Sequence, residues 1–334
     1  MRLTARTMAD AHTPTCEKLA EAEHPMNWRR RLWILALSQA LSASFSGAFA
    51  ADNATSTTAV RDTASVSLRL ANAHGRKATW HEPDLRSSSV YILDATHSSV
   101  LYERRADLAM PIASITKLMT ALVVLQAGQS LDESIQITRD DIFHGKGAYS
   151  RLTPGTTLPR GDLIHLALMS SENRAAYALG RHYPGGIPAF VQAMNARAQV
   201  LGMSRTHFVD PAGLSSSNVA SPQDLAKLVM AASQNSIIRE YSTDKGYAVR
   251  AGRRMIDFRN TDSLVSNPTW KIIVQKTGYI NEAGKCLVMQ AVIEERTVVI
   301  VLLDSFGKYT RVADAKRIKK WMEWRLGPGL AVSG

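Results

Sequence analysis

Ser114, Ile115, Thr116 and Lys117 place a hydroxyl and an amine three residues apart, just ahead of the apolar run Leu118 to Leu125. Residues at that spacing share one face of a helix, so the Lys117 amine can reach the Ser114 hydroxyl and act as its base. A lysine base has a handicap. At a reference pKa near 10.4, only about one amine in a few thousand is neutral at pH 7. Lowering that pKa to about 7 takes roughly 4 kcal/mol of bias against the charged form, from burial or from a neighbouring cation. The pair therefore predicts an enclosed site that contains a second positive group.

The same spacing recurs at Ser242 with Lys245 and at Ser305 with Lys308, so the residues downstream of each serine have to decide between them. After Ser114 comes the polar cluster Ser170-Ser171-Glu172-Asn173-Arg174, set between two helical runs. The simplest structural role for Ser171 is a helix cap, with Glu172 favoured by the helix dipole. Ser-x-Asn also occurs at Ser216 with Asn218 and at Ser233 with Asn235, so it carries little alone. Lys276-Thr277-Gly278 occurs once, read as the end of a strand that begins near Trp270. It offers a cation, a hydroxyl for a carboxylate, and a glycine that lets a substrate lie against the backbone. Its plain alternative is an edge strand closing in a turn. Neither Ser242 nor Ser305 is followed by a Ser-x-Asn and then a Lys-Thr-Gly; Ser114 is.

The elements that must position these groups can be read from periodicity. Ser89 to Ala95 and Val100 to Glu103 form a hairpin. Helical spacing then dominates, in the segment from Ser114 and over 162–169, 173–182, 188–201 and 222–232. Strands return at 270–274, 286–294 and 297–304, and a last helix covers about 309–326. Strands from both ends with helices between them imply one sheet built from the two ends and a helical subdomain from the middle. The expected limits are 88–118 and 240–326 for the sheet part, 119–239 for the helical part, and 327–334 for a tail.

Composition narrows the setting. Met26 to Ala50 runs from three arginines through an apolar stretch to Ala48-Phe49-Ala50, the pattern of a secretory signal peptide cleaved after Ala50. Either Met1 or Met26 can serve as the start. Residues 51–87, rich in Ala, Ser, Thr and Asp, read as a flexible linker. Cleavage would remove Cys16, leaving Cys286 without an intramolecular disulfide partner. The whole chain carries a net charge of +11, and the exported part keeps 34 basic against 25 acidic residues. A basic exported protein suits anionic polymers such as cell-wall material. The basic residues are dispersed without interleaved aromatics, so nucleic acid is set aside as a partner. Trp321 and Trp324 beside Arg317, Lys319, Lys320 and Arg325 suggest at most a weak peripheral association with membrane or murein. No histidine spacing suits a metal, and no cofactor is expected.

Taken in order, Ser114/Lys117, Ser171/Asn173 and Lys276/Thr277/Gly278 resemble the signature of penicillin-binding proteins and serine β-lactamases. The stretches beginning at Met169, Leu201 and Lys276 are similar to the low-molecular-mass D-alanyl-D-alanine peptidases. Ser171-Glu172-Asn173-Arg174 and Phe306-Gly307-Lys308-Tyr309-Thr310 resemble their D-alanyl-D-alanine endopeptidase branch. The resemblance covers about 88–326 and implies an α+β transpeptidase-like fold, an antiparallel sheet flanked by helices.

It implies an acyl-enzyme on Ser114, with Lys117 as base, Ser171 as proton relay and Asn173 binding the acyl donor. Lys276 and Thr277 would hold negative charge on the substrate, and Lys276 would be the cation that keeps Lys117 neutral. The oxyanion would sit between the N–H groups of Ser114 and Tyr279. Arg311 matches a position that helps bind carboxylate. The partners implied are peptidoglycan stem peptides in the periplasm and β-lactam antibiotics, which would acylate Ser114. Hydrolysis of the D-alanyl to diaminopimelyl cross-link is the leading expectation, because the 56 residues after Gly278 are too few for an added β domain and anchoring helix. The alternatives are a D-alanyl-D-alanine carboxypeptidase, a β-lactamase and a non-catalytic murein-binding module. The stretch His207 to Leu214 holds no glutamate of the kind a class A β-lactamase would use there.

Overall fold

The structure, a computed structural model, describes residues 82–143 and 149–326. The signal peptide, nearly all of the expected linker and the tail lie outside them.

The longest strands come from the most β-branched parts of the sequence. β9 (Lys271–Ile280), β10 (Gly284–Ile293) and β11 (Arg296–Ser305) are ten residues each. The last two are rich in Val, Ile and Leu and buried on both faces, which suits central strands. Glu294 and Glu295, at φ of 47° and 58°, close the tight turn between them. β1 (Ser87–Asp94) pairs with β11, setting Ile92 opposite Ile300, and β2 (Ser99–Arg104) pairs with β1. The sheet is antiparallel, in the order β2-β1-β11-β10-β9, so β9 is an edge.

Alternation divides this sheet into two faces. Val90, Ile92, Leu287, Met289, Ile300 and Leu302 pack with Ala315, Ile318 and Met322 of the last helix, Thr310–Leu326. The opposite face, including Tyr91, Val274, Cys286, Val288, Val299 and Val301, joins the core shared with the helical part.

Between β2 and the C-terminal strands lie the helices α1 (Thr116–Gln126), α2 (Arg160–Met169), α3 (Asn173–Arg181), α4 (Gly186–Val200), α5 (Pro222–Ser233) and α6 (Ser236–Thr243); Thr310–Leu326 is α7. α1 is buried from Thr116 through Val124, as expected of a helix that is apolar nearly all round. Four short strands complete the part between: β3 (Met110–Pro111), β4 (Ser134–Gln136), β5 (Thr157–Pro159) and β6 (Val219–Ala220). Among the described residues no helix is long and apolar enough to cross a membrane.

The architecture is the α+β fold expected, with three local differences. Lys276-Thr277-Gly278 lies inside β9 and does not end it, because Gly278 still pairs with Cys286 and the strand runs on to Ile280. A hairpin of β7 (Gly246–Ala251) and β8 (Arg254–Arg259) was not anticipated; its arginine-rich, largely exposed sequence lacks a clear apolar alternation. Helix α6 was also missed, although Asn235 caps it by accepting from the N–H groups of Ile237 and Ile238.

Candidate active site

Ser114 sits in a single 3-10 turn, Ala113–Ile115, that runs directly into α1. Just before it, Ala113 has φ of 48°, a left-handed conformation that is costly for a residue with a Cβ. The kink is held from two sides. Thr116 Oγ1 donates to the Ala113 carbonyl at 2.8 Å. Gly213 lies so close that a Cβ there would fall 1.9 Å from the Ala113 oxygen.

The loop that carries Gly213 is wound around one carboxylate. Asp210 accepts from the N–H groups of Ala212 at 2.7 Å, Gly213 at 2.6 Å and Ser215 at 2.9 Å. Buried Asn218 accepts from Val209 N–H and donates to both Thr116 Oγ1 and the Asp210 carbonyl. Every polar atom of that amide has a use, so its deep burial carries no desolvation penalty left unmet.

This frame delivers Lys117. Its Nζ is 2.7 Å from Ser114 Oγ and 2.8 Å each from Asn173 Oδ1 and the Ala212 carbonyl. Lys117 is fully buried, and burial pushes its pKa down to about 7, against the opposing pull of Asp210 and Glu172. The residue expected to be the second cation lies in the site: Lys276 Nζ donates to Ser171 Oγ at 3.0 Å and to the Thr277 carbonyl at 2.9 Å. Burial, and not Lys276, is nevertheless the chief cause of the Lys117 shift. Lys276 is itself held well below the ordinary lysine range, first by burial and then by repulsion from Lys117 and Arg311.

Ser171 is not the helix cap that its neighbours suggest. It lies at φ of 63° before α3, and Glu172 occupies the cap position without a side-chain capping bond. Glu172 turns away instead, accepting from Ser150 Oγ at 2.5 Å and from Arg151 N–H at 3.3 Å. Arg151 donates on to the Asp257 carbonyl and lies over the Phe258 ring, so the Ser171 turn is tied to the β7–β8 hairpin. Thr261 bridges the other way: its N–H donates to the Met169 carbonyl, and its hydroxyl is 2.6 Å from that of Thr277.

Gly278 explains how β9 comes so near the nucleophile. A Cβ there would sit 2.9 Å from the Ile112 oxygen and 3.3 Å from Ser114 N. Tyr279 follows with its ring 54% exposed. Arg311, half-buried near the start of α7, interacts electrostatically with Lys276 and Asp262, but its Nε and Nη1 have no hydrogen-bond partner.

The structure thus brings the predicted residues into two hydrogen-bonded groups, Ser114–Lys117–Asn173 and Lys276–Ser171, coupled through the repulsion between the two lysines, with Thr277 and Gly278 beside them and Tyr279 and Arg311 at the margin. The rival serines have structural places. Ser242 donates to the Arg239 carbonyl, and Ser305 is hydrogen-bonded to Ser87. Asp210 and Thr261 were not singled out from the sequence, Asn218 was named only in a rival motif, and Glu172 only as a charge for the helix dipole. Asp210-Pro211-x-Gly213 is a turn signature that could have drawn attention to the first.

Comparison with known proteins agrees with this geometry. The family model for D-alanyl-D-alanine carboxypeptidase matches residues 76–307. A D-alanyl-D-alanine endopeptidase of Pseudomonas aeruginosa is 47% identical over 244 residues, covering 72% of this chain and 79% of that protein. The crystal structure of the Streptomyces K15 DD-transpeptidase superposes with a TM-score of 0.68 at 29% identity, over 72% of this chain and 98% of that one. Penicillin-binding protein D2 of Listeria monocytogenes, solved in its cefotaxime-bound form, does so with a TM-score of 0.65 at 28% identity, over 72% and 98% of the two chains. The chain belongs to the D-alanyl-D-alanine carboxypeptidase family.

Proposed function

We propose that the protein is a serine DD-endopeptidase that hydrolyses D-alanyl to diaminopimelyl cross-links of peptidoglycan. The observation that carries the serine-peptidase chemistry is Lys117: a fully buried amine 2.7 Å from the Ser114 hydroxyl, its pKa pushed down by burial to about 7. About half of such amines are neutral at pH 7, which suits a general base.

Neutral Lys117 takes the Ser114 proton as Oγ attacks the D-alanyl carbonyl carbon. The negative charge that develops on the carbonyl oxygen is met by the Ser114 and Tyr279 N–H groups. Ser171, held by Lys276, relays the proton from Lys117 to the leaving amine as the C–N bond breaks, leaving an ester on Ser114 and Lys117 neutral again. Water then attacks the ester, giving a proton to neutral Lys117, which returns it to Ser114 Oγ as the C–O bond breaks; the acid is released and both groups are restored. Asn173 accepts from Lys117 and orients the acyl chain. Thr277 and Arg311 take the carboxylate next to the scissile bond; the two unpartnered guanidinium nitrogens of Arg311 support that role.

The endopeptidase choice rests on the similarity to the Pseudomonas protein. The family's carboxypeptidase description favours the near alternative, removal of a terminal D-alanine by the same steps. Mass analysis of muropeptides before and after incubation separates the two: loss of cross-linked dimers is expected, and intact dimers with trimmed monomers would establish the carboxypeptidase. A β-lactam should acylate Ser114.

We also infer export to the periplasm, supported by the signal-peptide pattern at Met26 to Ala50. N-terminal sequencing of protein from the periplasmic fraction should begin at Ala51; an uncleaved chain in the cytoplasm would overturn it.

A further inference from the structure

Beyond the reacting groups, the same end of the sheet carries three cations and three exposed aromatic rings. Tyr279 is two residues after Thr277 and so lies on the same face of β9. Lys285 is opposite Tyr279 in β10 and opposite Ser305 in β11. From Ser305 the chain continues through Phe306, Lys308 and Tyr309 to Arg311. Phe306 is 93% and Tyr309 68% exposed. Lys285 Nζ stands 3.9 Å from the Tyr279 ring centroid, and Lys308 Nζ 5.2 Å from that of Tyr309.

None of these cations is neutralised. Among the described residues Lys285, Lys308 and Arg311 form no ion pair within 4.0 Å. Burial first, and then repulsion from Arg311 and Lys308, holds the Lys285 ammonium below the ordinary lysine range. Asp262 acts on Arg311 electrostatically but forms no ion pair with it; its Oδ1 accepts from Leu264 N–H and its Oδ2 has no hydrogen-bond partner. Like charges held together without an ion pair cost stability, and the arrangement is complementary to an anion that has several carboxylates.

We propose that this rim binds the leaving strand of a cross-linked substrate through the carboxylates of its stem peptide, with the aromatic rings covering its apolar parts. The placement follows from the site: Thr277 and Arg311 hold the carboxylate beside the scissile bond, and the rim continues from them on the same face. This deepens the endopeptidase reading and rests on it, since a terminal D-alanine would leave the rim empty. The rim therefore discriminates cross-linked from uncross-linked substrate.

The test is the double variant Lys285→Ala/Lys308→Ala, measured with purified muropeptide dimers and, separately, by the rate of acylation with fluorescent penicillin, which has no leaving strand. Each exposed charge contact is worth up to about fivefold, so kcat/KM for dimers should fall about three- to tenfold, mainly through KM. Its salt dependence should also weaken, while penicillin acylation stays within about twofold. Lys285→Arg/Lys308→Arg should restore dimer cleavage. Equal losses on both substrates, or no loss on dimers, would overturn the proposal. So would unchanged dimer cleavage with lost sedimentation on phosphatidylglycerol vesicles, which would make the rim a lipid surface. Wild-type protein that reacts with penicillin yet leaves dimers intact is a different outcome, and would overturn the endopeptidase reading together with the rim's role.

Discussion

The two faces of the central sheet are built to opposite standards. Against α7 the sheet presents Val90, Ile92, Leu287, Met289, Ile300 and Leu302, and the helix answers with Ala315, Ile318 and Met322. Against the helical part it meets two buried lysines, a buried asparagine and aspartate, and non-glycine residues at positive φ in Ala113 and Ser171. One face follows the usual rule that apolar groups are buried together, the buried charge that α7 brings to it being Asp314, which accepts from the N–H groups of Arg86 and Ser87 and from Ser87 Oγ. The other buries charge and strain, each fixed by specific hydrogen bonds. The difference suggests that the α7 face supplies stability and the helical face spends some of it on positioning.

The largest effect that could break this comparison is at the nucleophile. Ser114→Ala should abolish penicillin labelling and lower hydrolysis roughly 10⁶-fold, with an unchanged melting temperature. Labelling that persists would remove Ser114 from its role. Next is Gly213→Ala, where the added Cβ would strike the Ala113 carbonyl, a backbone atom that cannot easily move. A loss of about 3 kcal/mol in stability is expected, together with slower acylation by the protein that remains folded. Urea unfolding and stopped-flow acylation would show both, and an unaffected acylation rate would mean that the kink is not needed.

On the opposite face, Ile318→Ala should cost about 3 kcal/mol and leave the acylation rate of folded protein unchanged. A parallel fall in acylation would show that the two faces are not separable. The smallest effect concerns charge alone. Acylation should rise with pH through an inflection near 7 as Lys117 loses its proton. Asp210→Asn removes a negative charge that favours the ammonium, so the inflection should move to lower pH. Movement upward, or none, would show that Asp210 acts only by holding its loop.

The contrast between the faces also accounts for what could be read in advance. Ser114 and Lys117 were legible because helical spacing fixes which side chains meet, and Ser171, Asn173 and Lys276 because their motifs follow in an order that resembles a known family. The sheet's central strands were legible because runs such as Val298 to Leu303 admit few other states. Asp210, Asn218 and Glu172 were not, because each acts on a loop whose path depends on contacts across the chain. Asn218 was even noticed as a rival match; only the fold shows that it bonds Thr116 below the nucleophile. The end of β9 was misplaced for a related reason. Glycine usually weakens a strand, but here it is what permits the strand to pass the Ser114 turn.

That strand is also the edge of the sheet. An edge offers its free N–H and C=O groups to any extended chain, and many proteins protect theirs with a covering helix or bulge. Here α6 packs against β9, while the segment beside Ser114 has to stay reachable by a peptide. The enzyme therefore keeps within its catalytic cleft the feature that elsewhere seeds aggregation. Its solubility during folding depends on how soon α6 closes over the rest of that edge.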